Sequence, residues 1–256
     1  WFKSTRAHEY YMKYYVDSKI LESDKPLSLR EIFDKLEFGT DVLGAEINGE
    51  IKDFYFNPAD ESKIYPIFLG NEKSLTLIRH STAHILAQAV QSIYPDTKVT
   101  IGPVIEDGFY YDFYTDRNFT EDDLKLFENK MHEILEKNVS FEKEVINKEK
   151  ALEIFSNMGE TFKKEIINDL DESQEISLYK QGDWFDLCRG PHLPNSTFIK
   201  SFKLLSVAGS YWRGDETRES LQRIYGTAFS SSKDLKKHLK ILEEAKKRDH
   251  RKLGKE

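Results

Sequence analysis

The stretch SLTLIRHSTAHILAQAVQSIY, residues 74–94, contains the strongest periodic pattern of the chain. Its apolar side chains recur at helical spacing, which predicts a helix that ends at the following proline. At about 100° per residue, Ile78 and Ile85 fall on one side of this helix. His80 and His84 fall roughly opposite and lie one above the other, four residues apart. Two interpretations stay open, because the histidines either form an ordinary solvated face or line a cleft shared with another element.

Strand and helix patterns alternate on both sides of this helix, which predicts an α+β fold. Residues 28–72 form a small module with a short helix, SLREIFDKL, and a hairpin turn at Asn48-Gly49. Within the larger two-layer α+β domain, the stretch after Gly159 is expected to consist of short strands and turns. We expect four segments along the chain: a helical extension (1–27), the small module (28–72), the larger domain (73–231) and a charged connecting helix (232–256).

Composition indicates a globular protein, with 39% hydrophobic and 32% charged residues. We expect a cytoplasmic protein, because no apolar run approaches the roughly 20 residues that a bilayer requires. The net charge of −7 argues against nucleic acid as a partner, yet residues 233–256 carry a local excess of five positive charges. Such a basic face either contacts RNA or is merely solvated.

A second group of reactive side chains lies in GDWFDLCRGPHLP, residues 182–194. Asp186 and Cys188 are two residues apart, which on a strand places them on the same face. His192 follows a Gly-Pro turn that could fold it back toward them. Together with the histidine pair, these residues offer imidazole and thiolate ligands of the kind that zinc favours. The alternative is a buried cysteine that serves only as a small core residue.

Six strings carry a resemblance to one family: IRHSTAH, IGPVIEDGFYYDF, GDWFDLCRGPH, GSYWRGD, LQRIYGTAF and RDHRKLGKE. They occur in this order in threonyl-tRNA synthetases of the bacterial type, and the match covers about residues 75–256. Residues 28–70 resemble that family's ubiquitin-like N-terminal module. The resemblance implies a fragment of such a synthetase that ends before the class II aminoacylation core.

The resemblance also implies an editing activity, which is hydrolysis of tRNA(Thr) wrongly charged with serine. By similarity, His80 and Asp186 would place and activate water. Lys163 would steady negative charge or protonate the leaving group, with Lys164 as the neighbouring alternative.

The resemblance further implies which residues surround the substrate. His84 and His192 would shape the pocket, and Cys188 would position the substrate without acting as a nucleophile. Two residues of the GFYYDF strand, Tyr110 and Tyr111, together with the Gly108 backbone, are candidates for the pocket wall.

The family also bears on cofactors and partners. Its threonyl editing sites work without metal, so we expect none here, although His80, His84, Cys188 and His192 would be the ligands if zinc bound. Zinc, ATP and magnesium are expected only in the absent core, which would also form a homodimer. The expected partner is the acceptor end of tRNA(Thr), with serine as the product. Two alternatives remain: a free-standing zinc-dependent deacylase of the alanyl-editing type and a non-catalytic tRNA-binding module.

Overall fold

The computed structural model describes residues 11–253, with side chains as far as residue 248. The chain divides into two compact units, Trp1–Ser74 and Leu75–Glu256. Among the described helices, none is both long and apolar enough to span a bilayer.

The first unit is a five-stranded sheet with one helix. Its elements are β1 (Met12–Val16), β2 (Lys19–Ser23), α1 (Leu29–Lys35), β3 (Val42–Ile47), β4 (Glu50–Lys52) and β5 (Lys63–Phe68). The strand order is β2-β1-β5-β3-β4, with β1 parallel to β5 and the other neighbours antiparallel. Apolar side chains of the sheet and of α1 form a single core, which makes this unit an α+β module.

The prediction of a helix over residues 1–27 is wrong for the part that the structure describes. Residues 12–23 form the β1–β2 hairpin instead, and both strands belong to the sheet of the small module. Tyr14 and Val16 are buried while Tyr15 between them is not, and this alternation is that of a strand with one face on the core. Asp17 has a positive φ of 53° and forms the turn between the two strands. Residues 1–10 lie outside the described part.

The two local predictions in the small module are confirmed. The stretch SLREIFDKL contains helix α1, and Ser28 caps this helix through a capping box with Glu31. Asn48 and Gly49 form the turn between β3 and β4 with φ values of 53° and 81°. Two positive φ angles in succession are those of a type I′ hairpin turn.

The second unit contains the remaining helices and strands. Its elements are α2 (Ser74–Ile93), β6 (Lys98–Val99), β7 (Val104–Ile105), β8 (Gly108–Tyr114), α3 (Glu121–Leu135), β9 (Phe141–Ile146), α4 (Lys148–Asn157), α5 (Thr161–Asp169), β10 (Ile176–Gln181), β11 (Trp184–Leu187), β12 (Ser201–Tyr211), β13 (Ser220–Phe229) and α6 (Ser232–Leu253). Short 3-10 helices lie at Ser196–Phe198 and Trp212–Gly214.

Two sheets organise this unit. One has the order β12-β13-β8-β6, with β7 paired to β8, and the other has the order β11-β10-β9. Helices α4 and α5 pack on the three-stranded sheet through a buried apolar cluster. Helix α2 is buried along most of its length, so the wide solvated face that its polar residues suggested does not exist.

The expectation of only strands and turns after Gly159 is also wrong, because residues 161–169 form helix α5. Glu160, 3% exposed, precedes the helix and accepts hydrogen bonds from Gln91 Nε2 (2.7 Å) and from the amide of Val99 (3.3 Å). The carboxylate thereby ties the start of α5 to α2 and β6. Burial raises the pKa of the Glu160 carboxyl, and the bond from Gln91 opposes that shift.

Candidate active site

Helix α2 and the loop after β11 bring together four side chains that could bind a metal ion or transfer a proton. The ligand atoms of His80, His84, Cys188 and His192 all lie within 4.8 Å of one another. Cys188 Sγ is 3.4 Å from His80 Nε2 and 3.3 Å from His192 Nε2. The histidine pair of α2 therefore lines a cleft shared with a second element, which decides between the two interpretations left open by the sequence.

The protonation of His80 follows from its backbone partner. Its Nδ1 is 3.0 Å from the carbonyl oxygen of Pro191, which can only accept a hydrogen bond. Nδ1 therefore carries a proton. In the neutral ring Nε2 then carries no proton, and this atom is the one beside Cys188.

The other two histidines are deeply buried and neutral. His84 is 2% exposed and His192 is 1% exposed. Burial lowers the pKa of both rings well below the usual value, and the nearby His80 lowers each further. The Nδ1 atom of His84 has no hydrogen-bond partner among the residues that the structure describes. A neutral ring tolerates this arrangement, whereas a buried imidazolium would not.

A buried ion pair lies on the other side of the cleft. Lys163 Nζ is 2.7 Å from Asp186 Oδ1 and 2.9 Å from Oδ2, and the two side chains are 2% and 3% exposed. The Tyr111 hydroxyl donates to Oδ2 at 2.5 Å, and the amide of Leu187 donates to Oδ1 at 2.8 Å. Burial first, and then the charge of Asp186, raise the pKa of the Tyr111 hydroxyl, so it remains a donor. Of the two candidate lysines, Lys163 lines the cleft, whereas the side chain of Lys164 is partly exposed.

Contacts on the side of helix α5 opposite Lys163 anchor the helix and so fix the position of this lysine. Glu165 accepts hydrogen bonds from Trp212 Nε1 (3.0 Å) and from both terminal nitrogens of Arg218 (3.2 and 2.8 Å). Bonds from Arg218 and Trp212 lower the pKa of the Glu165 carboxyl to about 2. The Trp212 ring also packs against Phe162, the residue before Lys163.

The two groups of side chains open on one cavity of about 420 Å³. His80, His84 and Cys188 line one part of its wall, and Lys163 and Asp186 line another. The remaining wall includes residues of α5 and its C-terminal end, of the loop after β6 and of β10, among them Ile166, Leu170, Thr100, Ile101, Gly102, Pro103, Ile176 and Ser177. This volume lies within the range of small-molecule sites.

Three of the predicted pocket residues do not line this cavity. Tyr110 lies on the other face of β8, where it packs against Tyr225 and carries the Arg223 guanidinium 3.8 Å from its ring centre. Gly108 sits against the backbone of Gly226, and a Cβ atom there would be 2.1 Å from the Gly226 oxygen. His192 lies behind Cys188.

Tyr111, the other candidate on this strand, does line the cavity. Adjacent residues of a strand point to opposite faces, so only one of the two tyrosines can face it. Close packing at Gly102 reinforces the wall, since a Cβ atom there would be 2.2 Å from the Tyr111 ring.

Sequence reasoning missed the wall residues of the loop after β6 and also missed Ser81. Ser81 is fully buried beside His192, with its Oγ 3.1 Å from Nδ1. Its position between the two histidines of α2 was visible in the sequence, but a serine within a helix carries no chemical signal of its own.

The arrangement suits acyl transfer to water. A lysine ammonium can stabilise an oxyanion, and an imidazole with one unprotonated nitrogen can take a proton from water. Alternatively, the four side chains could hold a metal ion, with ligands from His80, His84, Cys188 and His192.

Comparison with known proteins shows which family this chain resembles. Residues 176–225 match the family described as "Threonyl and Alanyl tRNA synthetase second additional domain". The threonine–tRNA ligase of Legionella pneumophila (strain Corby) is 46% identical over 241 residues, which are 93% of this chain and 38% of that protein. The threonine–tRNA ligase of Bartonella bacilliformis is 52% identical over 217 residues, 84% of this chain and 33% of that protein. This chain spans about a third of the length of these relatives, and over that span it belongs to the threonine–tRNA ligase family.

Proposed function

We propose that this chain hydrolyses the ester of tRNA(Thr) wrongly charged with serine. The observation that carries the proposal is the buried Lys163–Asp186 pair, which opens on the same cavity as His80 and Cys188. The threonine–tRNA ligase relatives and the second additional domain support the choice of substrate.

The need for such an activity follows from the small difference between the two amino acids. Serine lacks one methyl group of threonine, and one such group is worth only about 1 to 3 kcal/mol in discrimination. A synthetic site therefore accepts serine at a harmful rate. A second site that admits the seryl ester and excludes the threonyl ester by its methyl group corrects the error.

In the proposed mechanism, His80 places and activates water. The Pro191 carbonyl holds the Nδ1 proton, so Nε2 can accept a proton from a water molecule that replaces the Cys188 thiol as its hydrogen-bond donor. The water oxygen attacks the ester carbonyl carbon, and the carbonyl oxygen becomes an oxyanion. When the tetrahedral intermediate collapses, the bond to the ribose oxygen breaks and that oxygen takes up a proton.

The Lys163 ammonium supplies positive charge to this intermediate. Lying in a buried part of the cavity wall, it can stabilise the oxyanion or protonate the ribose oxygen. Asp186 already accepts bonds from Lys163, the Tyr111 hydroxyl and the Leu187 amide, so its oxygens are largely occupied. We therefore propose that Asp186 acts by holding Lys163 and not by taking the proton from water.

The remaining members of the cluster shape the site. Cys188 and His84 line the cavity, and we propose that they position the serine moiety and the terminal adenosine. His192 acts indirectly, through its contact with Cys188. We further propose that the whole protein attaches threonine to tRNA(Thr) in the cytoplasm as a homodimer, and that its ATP, magnesium and zinc bind outside the residues described above.

The test is single-turnover deacylation of seryl-tRNA(Thr) by the wild-type chain and matched lysine variants. Lys163→Ala should lower the rate by about 100-fold or more, the size expected for lost oxyanion or proton assistance. Lys164→Ala is the control, because its side chain is the neighbouring, partly exposed lysine. Because removal of one partner from a buried ion pair costs about 3 to 5 kcal/mol, Lys163→Ala should melt at a lower temperature, and the assay is therefore run below its melting transition. At that temperature its tRNA affinity should stay near wild type.

Other outcomes would favour other functions. No turnover by the wild-type chain, with tRNA bound, would favour the non-catalytic binding module. Turnover that disappears on chelation and returns with zinc would favour the zinc-dependent deacylase of the alanyl-editing type.

A further inference from the structure

Ser81 is a fully buried hydroxyl at the centre of the cluster, and its two polar contacts define the direction of its proton. The amide of Leu193 donates to Ser81 Oγ at 2.9 Å, and His192 Nδ1 lies 3.1 Å from the same oxygen. Since a backbone amide can only donate, the serine proton must go elsewhere. Within the described residues, no carbonyl oxygen accepts it, in contrast to the neighbouring Thr82 hydroxyl, which donates to Ile78 at 2.7 Å.

The Ser81 hydroxyl therefore donates to His192 Nδ1. The opposite arrangement, with the proton on Nδ1, would leave the serine hydroxyl proton buried without an acceptor, which is costly. With Nδ1 accepting, the neutral His192 ring carries its proton on Nε2. That atom lies 3.3 Å from Cys188 Sγ, to which it donates.

Packing fixes the orientation of the His192 ring. It stacks on Phe141 at 5.3 Å between ring centres with an interplanar angle of 3°, and on His80 at 4.1 Å. The tautomer therefore cannot be exchanged by a simple ring flip.

These contacts form a chain of hydrogen bonds in which every donor points the same way. It runs from the Leu193 amide through Ser81 and His192 to Cys188 Sγ, which also accepts from the Gly190 amide at 3.3 Å. The cysteine proton then faces His80 Nε2 at 3.4 Å.

We propose that Ser81 is a positioning residue that sets the tautomer of His192 and keeps the four-residue cluster a directed hydrogen-bond chain instead of a zinc site. A histidine that binds metal through one nitrogen almost always donates the proton of its other nitrogen to a nearby acceptor. His80 meets this requirement, because its Nδ1 donates to the Pro191 carbonyl. His192 does not, because its Nε2 carries the proton and its Nδ1 accepts from Ser81.

Zinc binding to the wild-type cluster would thus require His192 to change its tautomer and the Ser81 hydroxyl to lose its acceptor. A chain with alanine at this position lacks the serine donor that holds His192 in the Nε2-protonated tautomer. The proposal concerns protonation and metal affinity, so it can fail while the proposed ester hydrolysis stands, and the reverse also holds.

The first measurement is the tautomeric state of His192 by imidazole 15N NMR in the wild-type chain near pH 7.5, with signals assigned by a His192→Gln variant. We expect protonation at Nε2. Protonation at Nδ1 would overturn the proposal, and this measurement decides the matter even if position 81 variants fail to fold.

The second measurement repeats the 15N spectrum on Ser81→Ala and Thr82→Val. The Thr82 variant is the matched control, since it removes a buried hydroxyl of the same helix that donates to the Ile78 carbonyl. In Ser81→Ala, which lacks the donor to Nδ1, we expect a measurable share of the Nδ1-protonated tautomer, whereas Thr82→Val should keep the wild-type state. An unchanged Nε2-protonated state in Ser81→Ala would contradict the proposal, as would tight, stoichiometric zinc binding by the wild-type chain in competition with a chromophoric chelator.

Discussion

Replacing Asp186 with asparagine would leave the buried ammonium of Lys163 without its counter-charge. The two groups are 2.7 Å apart and 2% and 3% exposed. At an effective dielectric constant of about 20, two unit charges at this separation attract by about 6 kcal/mol, most of which offsets their desolvation. Because removal of one partner from a buried pair costs about 3 to 5 kcal/mol, we expect Asp186→Asn to lower the free energy of unfolding by that amount.

A double variant separates stability from activity. Lys163→Met with Asp186→Asn removes both charges, and the asparagine oxygen can still accept from the Tyr111 hydroxyl. This variant should recover most of the lost stability but should remain at least about 100-fold slower than wild type in deacylation.

Urea unfolding and single-turnover deacylation measure the two quantities. A free energy of unfolding for Asp186→Asn within roughly 1 kcal/mol of wild type would show that the buried pair does not matter for stability, since a change of that size is typical of ordinary substitutions. A double variant no more stable than the single one would contradict the expected recovery of stability.

Three further predictions concern the same site. Burial lowers the pKa of His84 and His192 in the folded chain. Below about pH 6.5 the unfolded chain therefore binds more protons than the folded chain. The free energy of unfolding should fall as the pH drops toward 5, by up to about 2 kcal/mol per histidine. Denaturant melts between these pH values check this, and an unchanged slope in a His84→Gln, His192→Gln chain would contradict it. Cys188→Ser should slow deacylation only modestly, because serine keeps the size and part of the hydrogen bonding of the thiol, whereas near-complete loss would indicate a nucleophile or a metal ligand. Tyr111→Phe should destabilise the chain by about 1 to 3 kcal/mol, as measured by urea unfolding, because it removes a donor from the buried Asp186 carboxylate.

The sequence predicted those parts of the fold whose signals are local. Helix α2 has a long apolar period, the stretch SLREIFDKL forms α1, and Asn48-Gly49 marks a hairpin turn. Each of these signals acts over a few residues and does not depend on distant partners.

The errors arose where distant contacts decide the structure. β1 gains its hydrogen bonds from β2 and from β5, which is some 50 residues away, and a cluster of tyrosines alone gives no sign of that pairing. Helix α5 has no side-chain cap, and its start is held by Gln91 and Val99 through Glu160.

The sequence predicted those residues of the site whose side chains have a distinctive chemistry. His80, His84, Lys163 and Asp186 line the cavity as expected, and their roles remain predictions. The choice between Tyr110 and Tyr111 depended on the face that β8 turns toward α5 and β11. That orientation is set by the pairing of β8 with β13 and not by the strand's own residues.

The central claim is that the cavity admits the seryl ester and excludes the threonyl ester. The most direct measurement compares single-turnover deacylation of matched seryl-tRNA(Thr) and threonyl-tRNA(Thr) by the wild-type chain in the presence of a metal chelator. We expect the seryl ester to be hydrolysed at least about 10-fold faster, since exclusion of one methyl group is worth about 1 to 3 kcal/mol. Equal rates on the two esters, or no hydrolysis of either, would contradict it.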